Sequence, residues 1–172
     1  MAVLEIRTVP DPVLKEVSQP VEKVDDDLRQ LMDDMLETMY AAPGIGLAAP
    51  QVGVTRRIVV IDTARDDEES APLRLANPEV IWSSEETKVY DEGCLSVPDY
   101  YSDVERPDRV IVRFLDYDGV QQEMEVDGLT AVCVQHEIDH LDGILFVDHI
   151  SRVKREVILR KLTKARKLAA NG

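Results

Sequence analysis

Apolar residues recur at steps of three and four between Leu28 and Met39, and this spacing predicts an amphipathic α-helix. Aspartates at 25–27 precede the stretch and suit the positive end of a helix dipole. Pro43 and Gly44 follow it and predict where the helix ends. We interpret the methionine-rich face as core packing and not as a cofactor site. The apolar positions are Leu28, Leu31, Met32, Met35, Leu36 and Met39.

Short runs rich in β-branched residues predict strands in the middle of the chain. The runs cover residues 57–62, 110–115 and 121–126. Asp118 and Gly119 lie between the last two runs and form a typical hairpin turn signal. Residues 64–71 are rich in acids, so we expect an exposed loop there.

Two helices are predicted near the C-terminus. Asp127 is placed to cap a helix that begins near Gly128, and Gly143 is placed to end it. A basic segment, at about residues 151–169, is predicted to form the second helix. Strands in sequence followed by helices predict an α+β fold rather than alternating βαβ units.

The length and composition are those of one globular domain, and we expect residues 1–172 to form it. A hydrophobic fraction of 44% supports a packed core. No apolar stretch approaches the roughly 18 residues of a transmembrane helix, and the first residues do not resemble a secretory signal. In a reducing compartment Cys94 and Cys133 are free thiols, core residues or ligands. These features predict a cytoplasmic protein without a membrane segment.

The net charge of −14 is unevenly distributed along the chain. Residues 1–151 carry 12 Lys and Arg against 33 Asp and Glu, which gives −21, whereas residues 152–172 carry eight against one, which gives +7. An acidic body argues against DNA binding, because it would repel the phosphate backbone. The basic C-terminal segment is a separate feature, and the simplest interpretation is a solvated helix lying against the acidic body.

His136, Glu137 and His140 form an HExxH motif in the first of the two predicted C-terminal helices. Four residues make slightly more than one helical turn, so both imidazoles lie on one side and can share one metal ion. Glu137 is rotated by about 100° from His136, so it can stand beside the metal as a base for water.

The apolar stripe of this helix continues into the two histidines, which are therefore predicted to point inward. The stripe consists of Leu129, Val132, Cys133, His136 and His140. The alternative is a pair of ordinary core histidines. Two histidines at this spacing with a glutamate between them favour the metal site.

A catalytic metal usually needs a third protein ligand and an open position. Cys133 lies about 10 Å along the helix axis from His140, so we interpret it as a small buried residue near the site. Phe146 occupies the position of the third histidine in one known HExxH type, and Glu156 lies in the basic segment. Cys94 remains, and spacing alone leaves open whether it is a ligand or an ordinary cysteine.

The segment GIGLAAPQVG, residues 44–53, places small-residue turns around Gln51. Such turns suit a backbone that passes close to a ligand. The segment lacks the GxGxxG spacing and the GK[ST] ending of phosphate loops, which argues against a nucleotide. Taken alone, it predicts only a turn.

Three motifs together resemble those of the bacterial peptide deformylases. They are GIGLAAPQ at 44–51, EGCLS at 92–96 and HEIDH at 136–140, in that family's order. The resemblance covers nearly the whole chain. It implies an α+β fold with antiparallel sheets packed around a central HExxH helix, an N-terminal helix and a basic C-terminal helix at 152–172. It implies hydrolysis of the formyl group from N-formylmethionine at the start of new polypeptides.

The resemblance also implies a metal centre. Cys94, His136 and His140 would be its ligands, and a fourth position would be open for water. Relatives typically use Fe²⁺ in the cell, and Ni²⁺, Co²⁺ or Zn²⁺ can replace it in the isolated protein. Tetrahedral ligation by one cysteine and two histidines would by itself suggest Zn²⁺.

Family analogy assigns further roles. Glu137 would transfer protons, while the Gln51 amide and the Leu95 backbone N–H would hold the oxyanion. Residues that would bind the substrate backbone or line an apolar pocket for its methionine are Ile45, Gly46, Gly93, Leu129, Val132 and Cys133. Glu92 and Arg106 resemble a pair that braces the cysteine loop; the alternative is an exposed salt bridge, worth about 0–1 kcal/mol.

One position departs from the pattern of some relatives, which carry an arginine where this chain has Tyr101. A cationic contact to the downstream peptide is therefore expected to be missing. The resemblance also implies that residues 152–167 contact the ribosome. Two other functions compete with the deformylase: a metallopeptidase that cuts internal bonds, and a non-catalytic metal- or RNA-binding module. Intact ligands, Gln51 and Glu137 argue against the module.

Overall fold

The computed structural model describes residues 2–64 and 68–171. Across these residues it contains three α-helices and seven strands, which confirms the predicted α+β fold. The helices are α1 (Asp26–Ala41), α2 (Gly128–Leu141) and α3 (Arg152–Asn171). The strands are β1 (Gly46–Ala48), β2 (Ile58–Ile61), β3 (Leu73–Ser83), β4 (Thr87–Cys94), β5 (Val97–Pro107), β6 (Arg109–Leu115) and β7 (Gln121–Asp127).

The strands form two antiparallel sheets. The larger sheet has the order β1-β2-β3-β6-β7, whereas β4 and β5 form a separate hairpin. β1 lies at one edge of the larger sheet, where Gly46 pairs with Ile61 of β2. An edge strand presents backbone groups on its outer side, so β1 can pair with another extended chain.

The predicted N-terminal helix is confirmed as α1. Asp25 caps it, because its side chain accepts a hydrogen bond of 2.9 Å from the Leu28 backbone N–H. The helix ends at Ala41, just before Pro43. Its methionine stripe is fully buried and packs with residues of β1 and β2, as core packing requires.

The predicted central helix is confirmed as α2, but its start differs from the prediction. Asp127 occupies the cap position, yet its side chain makes no capping hydrogen bond. Asp127 is also the last residue of β7 and has extended backbone. The chain enters the helix through Gly128, whose φ of 56° lies in the left-handed region that favours glycine. The turn into α2 is therefore made by the glycine.

The predicted strands correspond to β2, β6 and β7, with ends shifted by one residue at most. β1, β3, β4 and β5 were not predicted, because charged residues interrupt β3–β5 and β1 is short. Residues 44–53 do not form only turns: they include β1 and a 3₁₀ helix, Ala49–Val52, before Gly53 at φ 84°. In the predicted acidic loop, residues 68–71 are exposed, and 65–67 lie outside the described residues.

The basic helix α3 packs on the rest of the chain through an apolar face. Ile158 and Leu162 are buried in a cluster with Leu145 and Phe146. Within the part of the chain that the structure describes, no helix is long and apolar enough to cross a membrane.

Candidate active site

Two histidines of α2 meet Cys94, which lies at the end of β4. His140 Nε2 is 3.2 Å from His136 Nε2 and 3.3 Å from Cys94 Sγ. All three candidate ligand atoms lie within 4.8 Å of one another. Both histidines are buried, as the inward-facing stripe predicted. The structure therefore brings together the three residues expected to hold a metal.

The β4–β5 hairpin positions Cys94 at this point. Cys94 pairs with Val97 across the tight turn between the two strands. The Ser96 backbone N–H, in that turn, donates to Cys94 Sγ at 3.4 Å. The turn therefore holds the sulfur of Cys94 in one position, facing the two histidines.

The spacing and chemistry of the three atoms suit a metal ion. Two nitrogens on one tetrahedral metal lie about 3.3 Å apart, given bonds of about 2.0–2.1 Å. The observed nitrogen–nitrogen separation is 3.2 Å. His140 is not an ordinary satisfied core histidine, because its Nδ1 is buried without a hydrogen-bond partner among the described residues. Sulfur and imidazole donors together fit a divalent transition metal or zinc.

Glu92 and Arg106 form a buried pair behind His136. Arg106 Nε and Nη2 donate to the two oxygens of Glu92 at 2.6 and 3.0 Å, and the side chains are 6% and 5% exposed. Glu92 Oε1 also accepts from His136 Nδ1 at 3.0 Å. A carboxylate only accepts, so the proton lies on Nδ1, and Nε2 keeps its lone pair for a metal. The alternative of an exposed salt bridge is wrong.

The same contacts set the charge of Glu92. Burial alone raises the pKa of Glu92, but the hydrogen bonds from His136 and Arg106 outweigh it and lower the pKa. Glu92 is therefore held as a carboxylate, the form that accepts from both neighbours.

Glu137 stands beside the ligands without joining them. Its Oε1 lies 3.6 Å from His136 Nε2. Its Oε2 is buried and has no hydrogen-bond partner among the residues that the structure describes. Burial raises the pKa of Glu137 to about 7. A buried carboxyl group with one oxygen left without a partner among the described residues can exchange protons with a reacting molecule.

Gln51 is fixed beside Cys94 by both ends of its amide. Its Oε1 accepts from the Ala48 backbone N–H at 2.9 Å, and its Nε2 lies 3.1 Å from Ser96 Oγ and 3.5 Å from Cys94 Sγ. The Leu95 backbone N–H has no acceptor among the described residues. The Gln51 amide and the Ser96 backbone N–H are therefore the two donors directed at this sulfur.

A cleft of about 730 Å³ opens onto these groups. All the predicted substrate-binding residues line it: Ile45, Gly46, Gly93, Leu129, Val132 and Cys133. Val132 and Cys133 are buried, whereas Leu129 is 45% exposed. Leu129 lies in the first turn of α2, where the helix emerges from β7, so it borders the cleft without being enclosed.

Gly46 brings β1 very close to α2. A Cβ at this position would lie 2.7 Å from Cys133 Sγ and 3.0 Å from Glu137 Cγ, so only glycine fits without displacement. Burial raises the pKa of the Cys133 thiol well above its usual range. Cys133 is therefore a neutral, buried thiol in the wall of the cleft, as interpreted from the sequence.

Tyr101 lies at the rim of the cleft. It is 66% exposed, and its ring covers Gly93 so closely that a Cβ on that glycine would overlap the ring. The position that carries arginine in some relatives therefore faces the entrance, not the candidate ligands.

Three polar residues around the site had no predicted role: Ser96, Asp139 and His149. Ser96 is fully buried and contacts both Gln51 and Cys94. Asp139 accepts from Arg106 and His149. Ser96 and Asp139 belong to the EGCLS and HEIDH motifs, so their place within a motif could have indicated a role. His149 belongs to no motif, and its contact depends on the fold.

The site combines a cysteine and two histidines with a buried carboxyl group, and a cleft opens onto it. This is the arrangement of a metal-dependent hydrolase. Residues 3–156 match the family model for polypeptide deformylase. The peptide deformylase of Phenylobacterium zucineum is 62% identical over 169 residues, covering 98% of this chain and 100% of the relative.

Solved structures give the same result. The crystal structure of the peptide deformylase from Ehrlichia chaffeensis has a TM-score of 0.93 and 42% identity, covering 98% of this chain and 99% of that one. A structure of the Ehrlichia chaffeensis enzyme in complex with actinonin gives 0.92 and 44%, covering 96% and 98%. The chain described here belongs to the polypeptide deformylase family.

Proposed function

We propose that this chain hydrolyses the formyl amide of N-formylmethionine on newly synthesised polypeptides and releases formate. Membership of the family supports the reaction. The observation that carries the proposal is the convergence of the ligand atoms of Cys94, His136 and His140 within 4.8 Å, beside the buried carboxyl group of Glu137. Residues 1–172 would act as one catalytic domain, with 152–172 as its basic C-terminal helix.

Cys94, His136 and His140 are the proposed metal ligands. Fe²⁺ is the proposed metal in the cell, and Zn²⁺, Ni²⁺ or Co²⁺ would occupy the site in the isolated protein. Bound there, the metal would polarise the formyl carbonyl and make water more acidic. The protein's own contribution is to hold His136 in one tautomer through Glu92.

Glu137 is the proposed proton-transfer group. It would take a proton from the attacking water and pass a proton to the amine that leaves with the peptide. The water oxygen would become one of the two oxygens of formate. The buried, unpaired Oε2 on the cleft side of α2 supports this role. General acid–base catalysis of this kind typically contributes about 10²–10⁴ in rate.

Gln51 and Leu95 are proposed to hold the formyl oxygen as it gains negative charge. The Gln51 amide is fixed by Ala48, so its Nε2 is already aimed at the Cys94 side of the cleft. The Leu95 N–H, which has no acceptor among the described residues, would supply a second donor. Loss of one such donor typically lowers the rate by about 10²–10³.

The substrate is proposed to bind as an added strand. Gly46 lies in the edge strand β1, and Ile45, just before it, and Gly93 of β4 border the same cleft, so these backbones could pair with the substrate chain. The methionine side chain would enter between Val132 and Cys133, with Leu129 at the opening. Tyr101, rather than an arginine, would meet the downstream peptide.

The helix α3 is proposed to contact the ribosome, which would place the protein in the cytoplasm. Its exposed basic side chains, which support this role, are Arg152, Lys154, Arg160, Lys161, Lys164, Arg166 and Lys167. Deleting the helix would uncover the cluster around Ile158 and Leu162, so charge reversal is the sharper test.

Lys161→Glu combined with Lys164→Glu should weaken binding to purified ribosomes, and the salt dependence of binding should become shallower. The exposed Lys23→Glu is the control, and hydrolysis of a formyl-methionyl tripeptide shows that each variant is folded. Undiminished ribosome binding by the double variant would contradict the proposal.

The reaction itself is tested by formate release from a formyl-methionyl tripeptide, with protein loaded anaerobically with Fe²⁺ or with Ni²⁺. Release should require the formyl group and should be lost in Cys94→Ala. Folded, metal-loaded protein that releases no formate would contradict the deformylase assignment. Cleavage of unformylated peptides would indicate a metallopeptidase instead.

A further inference from the structure

The third histidine of the chain, His149, lies outside the HEIDH motif but contacts it. His149 Nε2 is 2.8 Å from Asp139 Oδ2. The same oxygen accepts from Arg106 Nη1 at 2.9 Å. A carboxylate only accepts hydrogen bonds, so the Nε2 of His149 carries the proton in this contact. Asp139 therefore receives one donor from inside the protein and one from the surface.

These contacts continue inward to a proposed metal ligand. Arg106 is the central member, because its two remaining donor groups bind both oxygens of Glu92. Glu92 in turn accepts from Nδ1 of His136. The result is a continuous series of hydrogen bonds from His136 to His149, whose side chain is 36% exposed.

The charges in this series of hydrogen bonds explain why His149, at its exposed end, affects the other members. Arg106 is nearly fully buried and brings one positive charge to two carboxylates, Glu92 and Asp139. Buried charges are tolerated when their partners satisfy them. Without His149, Asp139 would depend on Arg106 alone among these contacts, and it would compete with Glu92 for the guanidinium.

We propose that His149 is a positioning residue for the metal centre. Acting through Asp139 and Arg106, it keeps Glu92 on Nδ1 of His136, which leaves Nε2 of that ring free to bind metal. This inference rests on the proposed role of His136 as a ligand. Outer partners of metal-binding histidines typically change metal affinity by about 10–100-fold, and His149, which is more remote, is expected near the lower end.

The test compares His149→Ala with His149→Gln, whose amide N–H can still donate to Asp139. Both variants are loaded with Ni²⁺, and metal loss to an excess of chelator is followed over time. His149→Ala should lose metal about tenfold faster than the parent protein, and His149→Gln should restore most of the retention. Arg113→Ala, which removes an exposed ion pair with Glu123, is the matched control.

A second variant separates positioning from simple stability. In Asp139→Asn the carboxylate that links His149 to Arg106 is gone, so adding His149→Ala should cause little further metal loss. Nitrogen NMR of the imidazole rings gives an independent signature, since the chain has only 3 histidines. In the metal-free protein, where Nε2 can also hold the proton, His136 should carry it on Nδ1 in the parent and become a tautomer mixture in His149→Ala.

Metal retention in His149→Ala equal to that of the parent protein would overturn the proposal, as would additive effects with Asp139→Asn. A lowered melting temperature with unchanged retention and an unchanged His136 tautomer would assign His149 a merely structural role. Failure of the deformylase assignment would look different, because the parent protein itself would then release no formate.

Discussion

Around α2, charged side chains are buried and bound to one another, whereas along α3 they project into solvent. Glu92 and Arg106 are both buried and make two mutual hydrogen bonds. In α3 the buried positions are apolar, Ile158 and Leu162, and the basic side chains around them are exposed. Charge near α2 therefore fixes geometry. On α3, Arg155 is paired with Asp148, but the exposed basic side chains, such as Lys161 and Lys164, are available to an external partner.

The largest effect is expected where a charged group contacts the reacting atoms. Glu137→Gln keeps the size of the side chain but removes its ability to take a proton. We expect formate release to fall by about 10²–10⁴ with metal content unchanged. Turnover by the loaded variant close to that of the parent protein would remove Glu137 from its role.

The second effect concerns the stability of the buried pair. Arg106→Ala leaves Glu92 and Asp139 without their shared cation, so the free energy of unfolding should fall by about 3–5 kcal/mol. Denaturant unfolding measures it. Arg113→Ala is the control and should change stability little, because its pairs with Glu79 and Glu123 are solvated. Equal losses in the two variants would contradict the contrast between buried and exposed charge.

A third prediction concerns α3, where apolar contacts rather than charges should dominate stability. Leu162→Ala should lower the free energy of unfolding by about 2 kcal/mol or more, because a buried side chain is removed. Lys164→Ala should stay within about 0.5 kcal/mol of the parent protein. A larger loss from the lysine than from the leucine would show that α3 is held by its charges.

The smallest effect is expected for Asp148, an acid that lies between the α2 region and α3. Asp148 accepts from Lys15, the Leu145 N–H and Arg155 of α3. Burial alone raises the pKa of Asp148, but these hydrogen bonds outweigh it, so the pKa lies below the ordinary 3.8. The folded state thus binds this proton more weakly than the unfolded state does.

The sign of the pH effect follows from that lowered pKa. Asp148 stabilises the fold above the ordinary carboxyl pKa, and this contribution disappears as pH falls through the lowered value. Asp148→Asn should lose stability at neutral pH and show a shallower decline in acid, measured by unfolding across that range. Asp103→Asn, at an exposed position, is the control and should retain the parent's acid profile.

The sequence predicted the elements whose residues follow a simple period. The helix α1 and the strands β2, β6 and β7 have regular apolar patterns, so their positions were predicted to within two residues. β4 and β5 were missed because their stability comes from pairing with each other, as in Tyr90 with Val104, and their outer positions are exposed. Pairing between two strands cannot be recognised in a short stretch of sequence.

The candidate site divides in a similar way. The motif residues Cys94, His136 and His140 were predicted to converge, and the structure places their ligand atoms together. The pair of Glu92 and Arg106 within the β4–β5 hairpin was expected from the resemblance. The contacts of Asp139 with Arg106 and His149 were not predictable, because they join α2 to β5 and to the segment after α2 only once the chain folds. Leu129 falls on the same stripe as the buried histidines but is 45% exposed, because a helical period gives a direction but not the point where the helix leaves the core.

The most direct test of the proposed metal centre is X-ray absorption at the metal edge of Ni²⁺-loaded protein, with Cys94→Ala beside the parent. One sulfur and two imidazole nitrogens should surround the metal in the parent protein, and the sulfur signal should be absent in Cys94→Ala. A parent spectrum without sulfur, or a sulfur signal that persists in the variant and so comes from Cys133, would contradict the proposed ligands.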